Sequence, residues 1–271
     1  DDSRSLGEYT LPEHWIVVGA GNGPDCTNFV RLDDMTLTRF SAYDINYKYA
    51  KDFRPYAHET GINADIIAFL NFKPDLCVRP ESTDMDSAGK MFPCPRTWER
   101  ISIELKMRQA QGKPVDPDQM ANFAGRIIGI KAGREFGAFM QYRKNLTYDI
   151  DKILAGEERD PEVGMPAETY HIIMQSLIKK ETDKLKSYKS IDDVPEGIYF
   201  ECGHMISWIL KFQELERKIN AIAEIREDCP LLVDIIFDDD FSEKCCPGFD
   251  EFFIENNVLL NSAFEDIADL V

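Results

Sequence analysis

Patterns typical of β-strands are confined to the first 45 residues of this chain, and this limits the folds that the chain can adopt. The apolar run at residues 15–20 is typical of a short strand buried in a parallel sheet, and it ends abruptly at Gly21-Asn22-Gly23-Pro24. A short helix is predicted near Asp34–Leu37, and a second short strand at residues 40–43. The sequence therefore begins with a small α/β portion.

The remainder has helical periodicity. A helix is predicted over residues 46–60 and ends at Gly61, and the next begins with a side-chain cap at Asn63. Further helices are predicted over residues 95–110, 116–130, 132–142, 168–186 and 199–225. The last of these ranges is predicted to contain one helix or two. Glycine and alanine recur between residues 121 and 138, which predicts close packing of that segment on a neighbour. We therefore expect a mainly α protein in three parts: an α/β portion at 1–45, a helical region at 46–145 and a helical, acidic extension at 146–271.

Composition excludes several classes of partner. The net charge of −18 over 271 residues argues against broad binding to nucleic acid or anionic lipid, and no apolar run is long enough to span a membrane. Seven cysteines, an odd and irregularly spaced set, favour reduced thiols in the cytoplasm over a disulfide framework. The alternative of a zinc site around Cys202, His204, Cys229 and Cys245-Cys246 lacks any C-x-x-C pair, so we expect no metal centre.

Two candidate site residues lie in the α/β portion. Asn22 follows the apolar run, where a side chain at the end of a parallel strand points into the ligand crevice of α/β sheets. Its alternative role is to shape the glycine turn. Arg39 offers a planar guanidinium suited to the charge on phosphoryl oxygens, and a surface salt bridge with a neighbouring aspartate is the alternative.

Arg96 is the third candidate. It follows two prolines at the predicted start of a helix, where backbone amides and the guanidinium both favour a phosphate, and Trp98 would anchor that helix in a core. The alternative is an ion pair with Glu99 or Glu104. Each of the three residues is weak evidence alone, and their order along the chain makes the combination more specific.

Residues 7–142 resemble the C-terminal half of a MoxR-type AAA+ ATPase, in the branch with dynein-related ATPases. The resemblance is carried by segments in family order, at residues 7–22, 37–40, 66–76, 92–99 and 134–139. It implies that residues 1–45 end an AAA+ αβα core and that 46–145 form the helical lid. It further implies that Asn22 is the sensor-1 residue, Arg39 the arginine finger offered to a neighbouring subunit, and Arg96 the sensor-2 residue of the lid.

The resemblance also implies ATP and Mg²⁺ as cofactors, a homo-oligomeric ring, typically a hexamer, and a protein client or adaptor that the machine remodels. The sequence departs from the family in having no G-x-x-x-x-G-K-[ST] loop, and the acidic run at 235–239 lies after the lid rather than before sensor 1. The first residue is not methionine. We therefore expect a fragment that lacks Walker A and Walker B, binds no nucleotide tightly and is inactive as an ATPase by itself.

Two other functions stay open at this point. The main alternative is that the chain is a non-catalytic helical protein-interaction module in which the sensor residues have no function. The other is a small-molecule enzyme that uses His58, His171 or His204, although the sequence indicates no arranged carboxylate or nucleophile partner for any of them.

Overall fold

The computed structural model describes residues 5–6, 8–12, 14–16, 18–21, 33–43, 47–78, 91–238 and 241–268. The chain is mainly α, as predicted, and it divides into two compact units, Asp1–Asn46 and Tyr47–Val271. The predicted helical lid and the predicted C-terminal extension both belong to the second unit. The three-part division and its assignment to an AAA+ core and lid stay predictions.

The first unit contains little regular structure among its described residues. Strands β1 (Ser5–Leu6) and β2 (Tyr9–Thr10) form an antiparallel pair, and α1 (Asp34–Leu37) forms where a short helix was predicted. The predicted buried strand at residues 15–20 is wrong for the residues described there. Trp15 is 62% exposed, Ile16 84% and Val18 86%, with no strand pairing.

The reason for this difference is the lack of partners. A parallel strand needs neighbouring strands to satisfy its amides and carbonyls and covering helices to bury its side chains. Apart from β1 and β2, the described residues contain no strand with which an apolar run could pair. The strand predicted at residues 40–43 is absent for the same reason: Phe40 is 49% exposed and Tyr43 is 85% exposed.

The second unit is helical throughout its described residues. It opens with a π-helical turn at Tyr49–Phe53 and contains two 3₁₀ turns at Pro74–Leu76 and Ile191–Asp193. Its α-helices are α2 (Arg54–Glu59), α3 (Ala64–Phe72), α4 (Pro95–Ala110), α5 (Pro117–Ile128), α6 (Ile130–Lys144), α7 (Ile150–Leu154), α8 (Ala167–Leu185), α9 (Glu196–Leu210), α10 (Leu215–Asp228), α11 (Pro230–Ile236), α12 (Phe241–Lys244) and α13 (Phe249–Ala268). None of the described helices is both long and apolar enough to cross a lipid bilayer.

Local signals in the sequence account for several helix ends. The Asn63 side chain accepts a hydrogen bond from the Asp65 amide at 2.9 Å, and the Asp116 side chain accepts one from the Gln119 amide at 3.0 Å. Gly61 has φ +67°, the left-handed conformation that follows many helices. The predicted caps at Asn63 and Asp116 are therefore confirmed, and the region predicted as one helix or two at 199–225 contains α9 and α10.

Small residues bring α5 and α6 into close contact, as their recurrence predicts. A Cβ atom at Gly133 would lie 2.3 Å from the Gly125 nitrogen, and one at Gly137 would lie 2.4 Å from the Ala121 Cβ. Neither position has room for a methyl group while the backbones keep this spacing. The α5–α6 pair therefore forms a closely packed antiparallel hairpin in which only glycine fits at positions 133 and 137.

Two hydrophobic cores fill the second unit. The first core is built mostly from α2 to α6 and contains Trp98, Phe69 and Phe136. The second core is built from α7 to α13 and contains Trp208 and Phe249. Helix α8 contributes to both, because Ile172 packs in the first core while the side chains around it pack in the second. A single helix therefore forms a wall shared by the two cores.

Candidate functional site

The three candidate residues have different surroundings. Asn22 lies outside the described residues. Arg39 is exposed in the turn that follows α1, in the first unit, and it does not begin a strand. The strand predicted at residues 40–43 therefore does not follow Arg39, and the role of its guanidinium stays a prediction. Arg96 lies in the second unit, in the first turn of α4.

Hydrogen bonds and a buried tryptophan hold the first turn of α4 in place. The Thr97 hydroxyl accepts a hydrogen bond from the Cys94 amide at 2.8 Å, and the Thr97 and Trp98 amides both donate to the Cys94 carbonyl. The Trp98 side chain is completely buried, and its indole N–H donates to the Leu76 carbonyl at 2.9 Å. The first turn of α4 is therefore fixed to the first core by a large aromatic anchor.

Arg96 itself projects from this fixed turn into solvent. Its guanidinium has no hydrogen bond or ion pair with any described residue. The two acids that were candidate partners are engaged elsewhere: Glu99 accepts a hydrogen bond from the Tyr56 hydroxyl at 3.3 Å, and Glu104 pairs with Arg108 at 2.7 Å. Because the Thr97 and Trp98 amides already have acceptors, an anion at this helix end would depend mainly on the guanidinium.

A second group of polar side chains, which sequence reasoning missed, is buried or partly buried between helices that contribute to the two cores. The buried polar cluster joins α2, α3, α8 and α10, and its members are Arg54, His58, Asn71, His171, Gln175, Glu224, Glu227 and Asp228. Arg54 is its only permanent cation, against three carboxylates. The cluster is therefore net negative when both histidines are neutral.

Asp228 is the centre of this cluster. Arg54 donates to both of its carboxylate oxygens, from Nε at 2.9 Å and from Nη2 at 3.0 Å, and Nη1 of the same guanidinium contacts Glu227. His58 Nε2 lies 2.8 Å from Asp228 Oδ1. Gln175 completes the arrangement, because its amide donates to Asp228 Oδ2 at 3.0 Å and to a carboxylate oxygen of Glu224 at 3.0 Å.

Burial and the neighbouring charges shift the pKa values of two acids in the cluster, Asp228 and Glu227, in opposite directions. Burial raises the pKa of Asp228, but the nearby Arg54 and His58 outweigh that effect, and the net pKa lies below the usual value. Burial raises the pKa of Glu227 above its usual value, although Arg54 acts in the opposite direction. Asp228 is therefore the carboxylate that the cluster stabilises in its ionised form.

The surroundings of the histidines bear on whether the chain is a small-molecule enzyme. Two of the three histidines do lie beside a carboxylate, His58 beside Asp228 and His171 at 3.5 Å from Glu224. However, the side chain of Asp228 is only 1% exposed, which leaves a substrate no access to it. These pairs have the burial and bonding of a structural network rather than of an open catalytic site.

His204 has a different environment. Its Nδ1 lies 2.8 Å from the Leu154 carbonyl, which fixes the ring, and the ring packs against Gly156. With Ser207 and Lys211 it lines a cavity of about 160 Å³. Lys211 already pairs with Asp160 at 2.7 Å, and no group of three histidine, cysteine or acidic side chains in the described part of the chain is arranged to hold a metal ion. The cavity therefore suggests no particular reaction.

A signal for the buried polar cluster does exist in the sequence. On α10, Glu224 and Asp228 fall at the same helical spacing as Ala221 and Ile225, so two acids occupy an otherwise apolar face. Acids at core positions indicate that a partner cation is buried with them. Arg54, the cation that binds Asp228, is 174 residues away in the chain, so the sequence does not identify it. No protein-family model, no curated protein and no solved structure matches this chain.

Proposed function

We propose that this chain is the sensing and lid portion of a MoxR-type AAA+ ATPase, which couples ATP hydrolysis in a ring of subunits to the remodelling of a protein client in the cytoplasm. The observation that carries the proposal is Arg96, whose guanidinium has no partner among the described residues and stands on a helix turn anchored by the buried Trp98. A group that senses a γ-phosphate needs this combination of a free charge and a fixed base.

The helices that surround this turn support the same proposal. Helices α2 to α6 provide most of one core, and α4 begins within the segment that resembles the family at residues 92–99. The Arg96 environment fits a phosphate ligand, whereas this sequence holds no phosphate-binding loop to grip ATP or to provide the hydroxyl ligand of Mg²⁺. Those groups would come from a polypeptide segment outside these 271 residues.

Nucleotide binding tests the first part of this proposal. A phosphate-binding loop supplies most contacts to the β- and γ-phosphates through its amides and lysine. We therefore expect the 271-residue chain to bind ATP weakly or not at all in calorimetric titration. Micromolar, magnesium-dependent binding of ATP to this chain would contradict the proposal.

The second part is tested in an assembly that contains the Walker motifs. Arg39→Ala removes the group proposed to act on the neighbouring subunit, and losses of about 10³-fold or more in ATP hydrolysis are typical for an arginine finger. Arg96→Ala removes the group proposed to act within its own subunit. Arg134→Ala is a matched control, because Arg134 is an exposed arginine on α6 with no ion pair among the described residues.

Mixing experiments separate the two roles. In rings doped with a Walker-dead subunit, an Arg39→Ala subunit should retain activity at its own site and reduce activity at the adjacent one. An Arg96→Ala subunit should lose activity at its own site. Indistinguishable doping curves for the two variants would rule out the assignment of one arginine to each side of the subunit boundary.

A further inference from the structure

Helix α4 carries an exposed stripe that no other described part of its unit covers. The α4 stripe consists of Arg100, Ile103 and Met107, with Lys106 beside it. Ile103 is 55% exposed and Met107 is 50% exposed, and both cations are exposed without an ion pair among the described residues. The spacing of three and then four residues places the stripe on one face of the helix.

Helix α13 carries a stripe of the same spacing and the opposite charge. The α13 stripe consists of Glu251, Ile254 and Val258, with Glu255 beside it. Ile254 is 69% exposed and Val258 is 76% exposed, and the two glutamates are exposed and make no ion pair with described residues. The opposite face of this helix is fixed in the second core through Phe249 and Leu260.

The two stripes match position by position. Aligned in parallel, Arg100 faces Glu251, Ile103 faces Ile254, and Met107 faces Val258. Each stripe joins a charged end to an apolar end, so both the ion pair and the apolar contacts form in the same register. Because both stripes are exposed in the folded chain, they do not cover each other within one molecule.

We propose that the α4 stripe of one molecule binds the α13 stripe of a second copy of this chain. Parallel pairing of like stripes is disfavoured because it brings cations against cations or glutamates against glutamates, and antiparallel pairing of like stripes places each charged end opposite an apolar side chain without an ion pair. The contact joins two different surfaces and is therefore head-to-tail, which allows it to repeat into a ring or a filament. The proposal rests on these two helix faces alone and requires neither nucleotide nor the ATPase assignment.

The size of the contact sets its expected strength. A stable protein interface buries about 800 Å² on each partner, and two helical turns provide less than that. We therefore expect weak association, with a dissociation constant between about 1 µM and 1 mM. Since the ion pair at its edge is exposed, raising the salt concentration from about 50 to about 500 mM should weaken the association.

Sedimentation velocity of the full 271-residue chain, without nucleotide, tests the proposal. The wild-type sedimentation coefficient should rise with concentration between about 10 and 500 µM, which spans the expected range of affinity. Arg100→Glu and Glu251→Arg, each alone, should reduce the association at least about tenfold, since each puts like charges opposite one another. Arg126→Glu on α5 makes the same charge change on an exposed arginine outside both stripes and should associate like the wild type.

The same two substitutions also test the pairing. An equimolar mixture of the two single variants should associate again, because each provides the complement of the other, and so should the double variant Arg100→Glu/Glu251→Arg. Circular dichroism of every variant should show wild-type helix content and melting. A wild type that stays monomeric at 500 µM, an Arg100→Glu variant that associates normally, or a folded mixture that stays monomeric would each overturn the proposal.

Discussion

Removing the single permanent cation of the buried polar cluster should destabilise the second unit strongly. Arg54→Gln keeps an uncharged polar side chain at this position, but it leaves Asp228 and Glu227 without the guanidinium that now contacts both. The side chains of Arg54 and Asp228 are 9% and 1% exposed, so water cannot replace the lost contacts without opening the structure.

The expected magnitude follows from these contacts. Hydrogen bonds to charged groups contribute about 1.5–3 kcal/mol each, and Arg54 makes two of them to Asp228. Breaking a buried ion pair by removing one partner costs about 3–5 kcal/mol, because the other charge remains buried. For a unit of this size, that loss corresponds to a decrease in melting temperature of about 6–20 °C.

Chemical and thermal unfolding followed by circular dichroism would measure this loss. Arg134→Gln, the same substitution at an exposed arginine of α6, should change the free energy of unfolding by less than about 0.5 kcal/mol. Asp228→Asn should cost much less in the Arg54→Gln background than in the wild type, because its partner is already absent. A loss below about 1 kcal/mol for Arg54→Gln, or additive effects of the two substitutions, would refute this account of the cluster.

Three further predictions concern stability. Gly133→Ala should destabilise the chain by about 1–3 kcal/mol in urea unfolding, because the new Cβ would lie 2.3 Å from the Gly125 nitrogen. In the control Gly197→Ala on α9, the new Cβ has no atom within 4 Å, and the substitution should instead stabilise the chain by about 0.5–1 kcal/mol. Equal effects of the two substitutions would contradict the close packing of α5 on α6. Asn63→Ala should cost about 0.5–2 kcal/mol through loss of the α3 cap, and a neutral result would show the cap to be dispensable. The pKa of Asp228 is lowered in the folded state, so the stabilisation from its ionised carboxylate is present above the unfolded pKa near 3.9 and is lost as the pH falls through the lower folded pKa. The difference in unfolding free energy between wild type and Asp228→Asn should therefore shrink from pH 5 to pH 2. A difference that stays constant over this range would contradict the prediction.

The sequence predicted those features of the fold that depend on neighbouring residues. Caps at Asn63 and Asp116 and the glycine-rich contact of α5 with α6 each follow from a few adjacent side chains, and the structure confirms them. The apolar run at residues 15–20 was predicted wrongly, because a buried strand depends on partners elsewhere in a sheet. Local hydrophobicity does not reveal whether such partners exist.

The candidate site shows the same limit. The burial of Trp98 confirms the anchor expected at the proline-rich start of α4, whereas the role of Arg96, whose guanidinium has no partner among the described residues, stays a prediction. The buried polar cluster was not predicted, because Arg54 and Asp228 are far apart in the chain and meet only when α2 packs near α10. Ordinary charge counting treats both as surface residues, since most arginine and aspartate side chains are exposed.

The wall that α8 shares between the two cores has a mechanical consequence. Ile172 ties this helix to the helices before residue 145, while most of its other buried apolar side chains belong to the core of α7 to α13. A hinge near residue 145 would have to break apolar contacts and buried ion pairs together. Helices α2 to α6 should therefore rotate together with the C-terminal helices, including α13, as one rigid body.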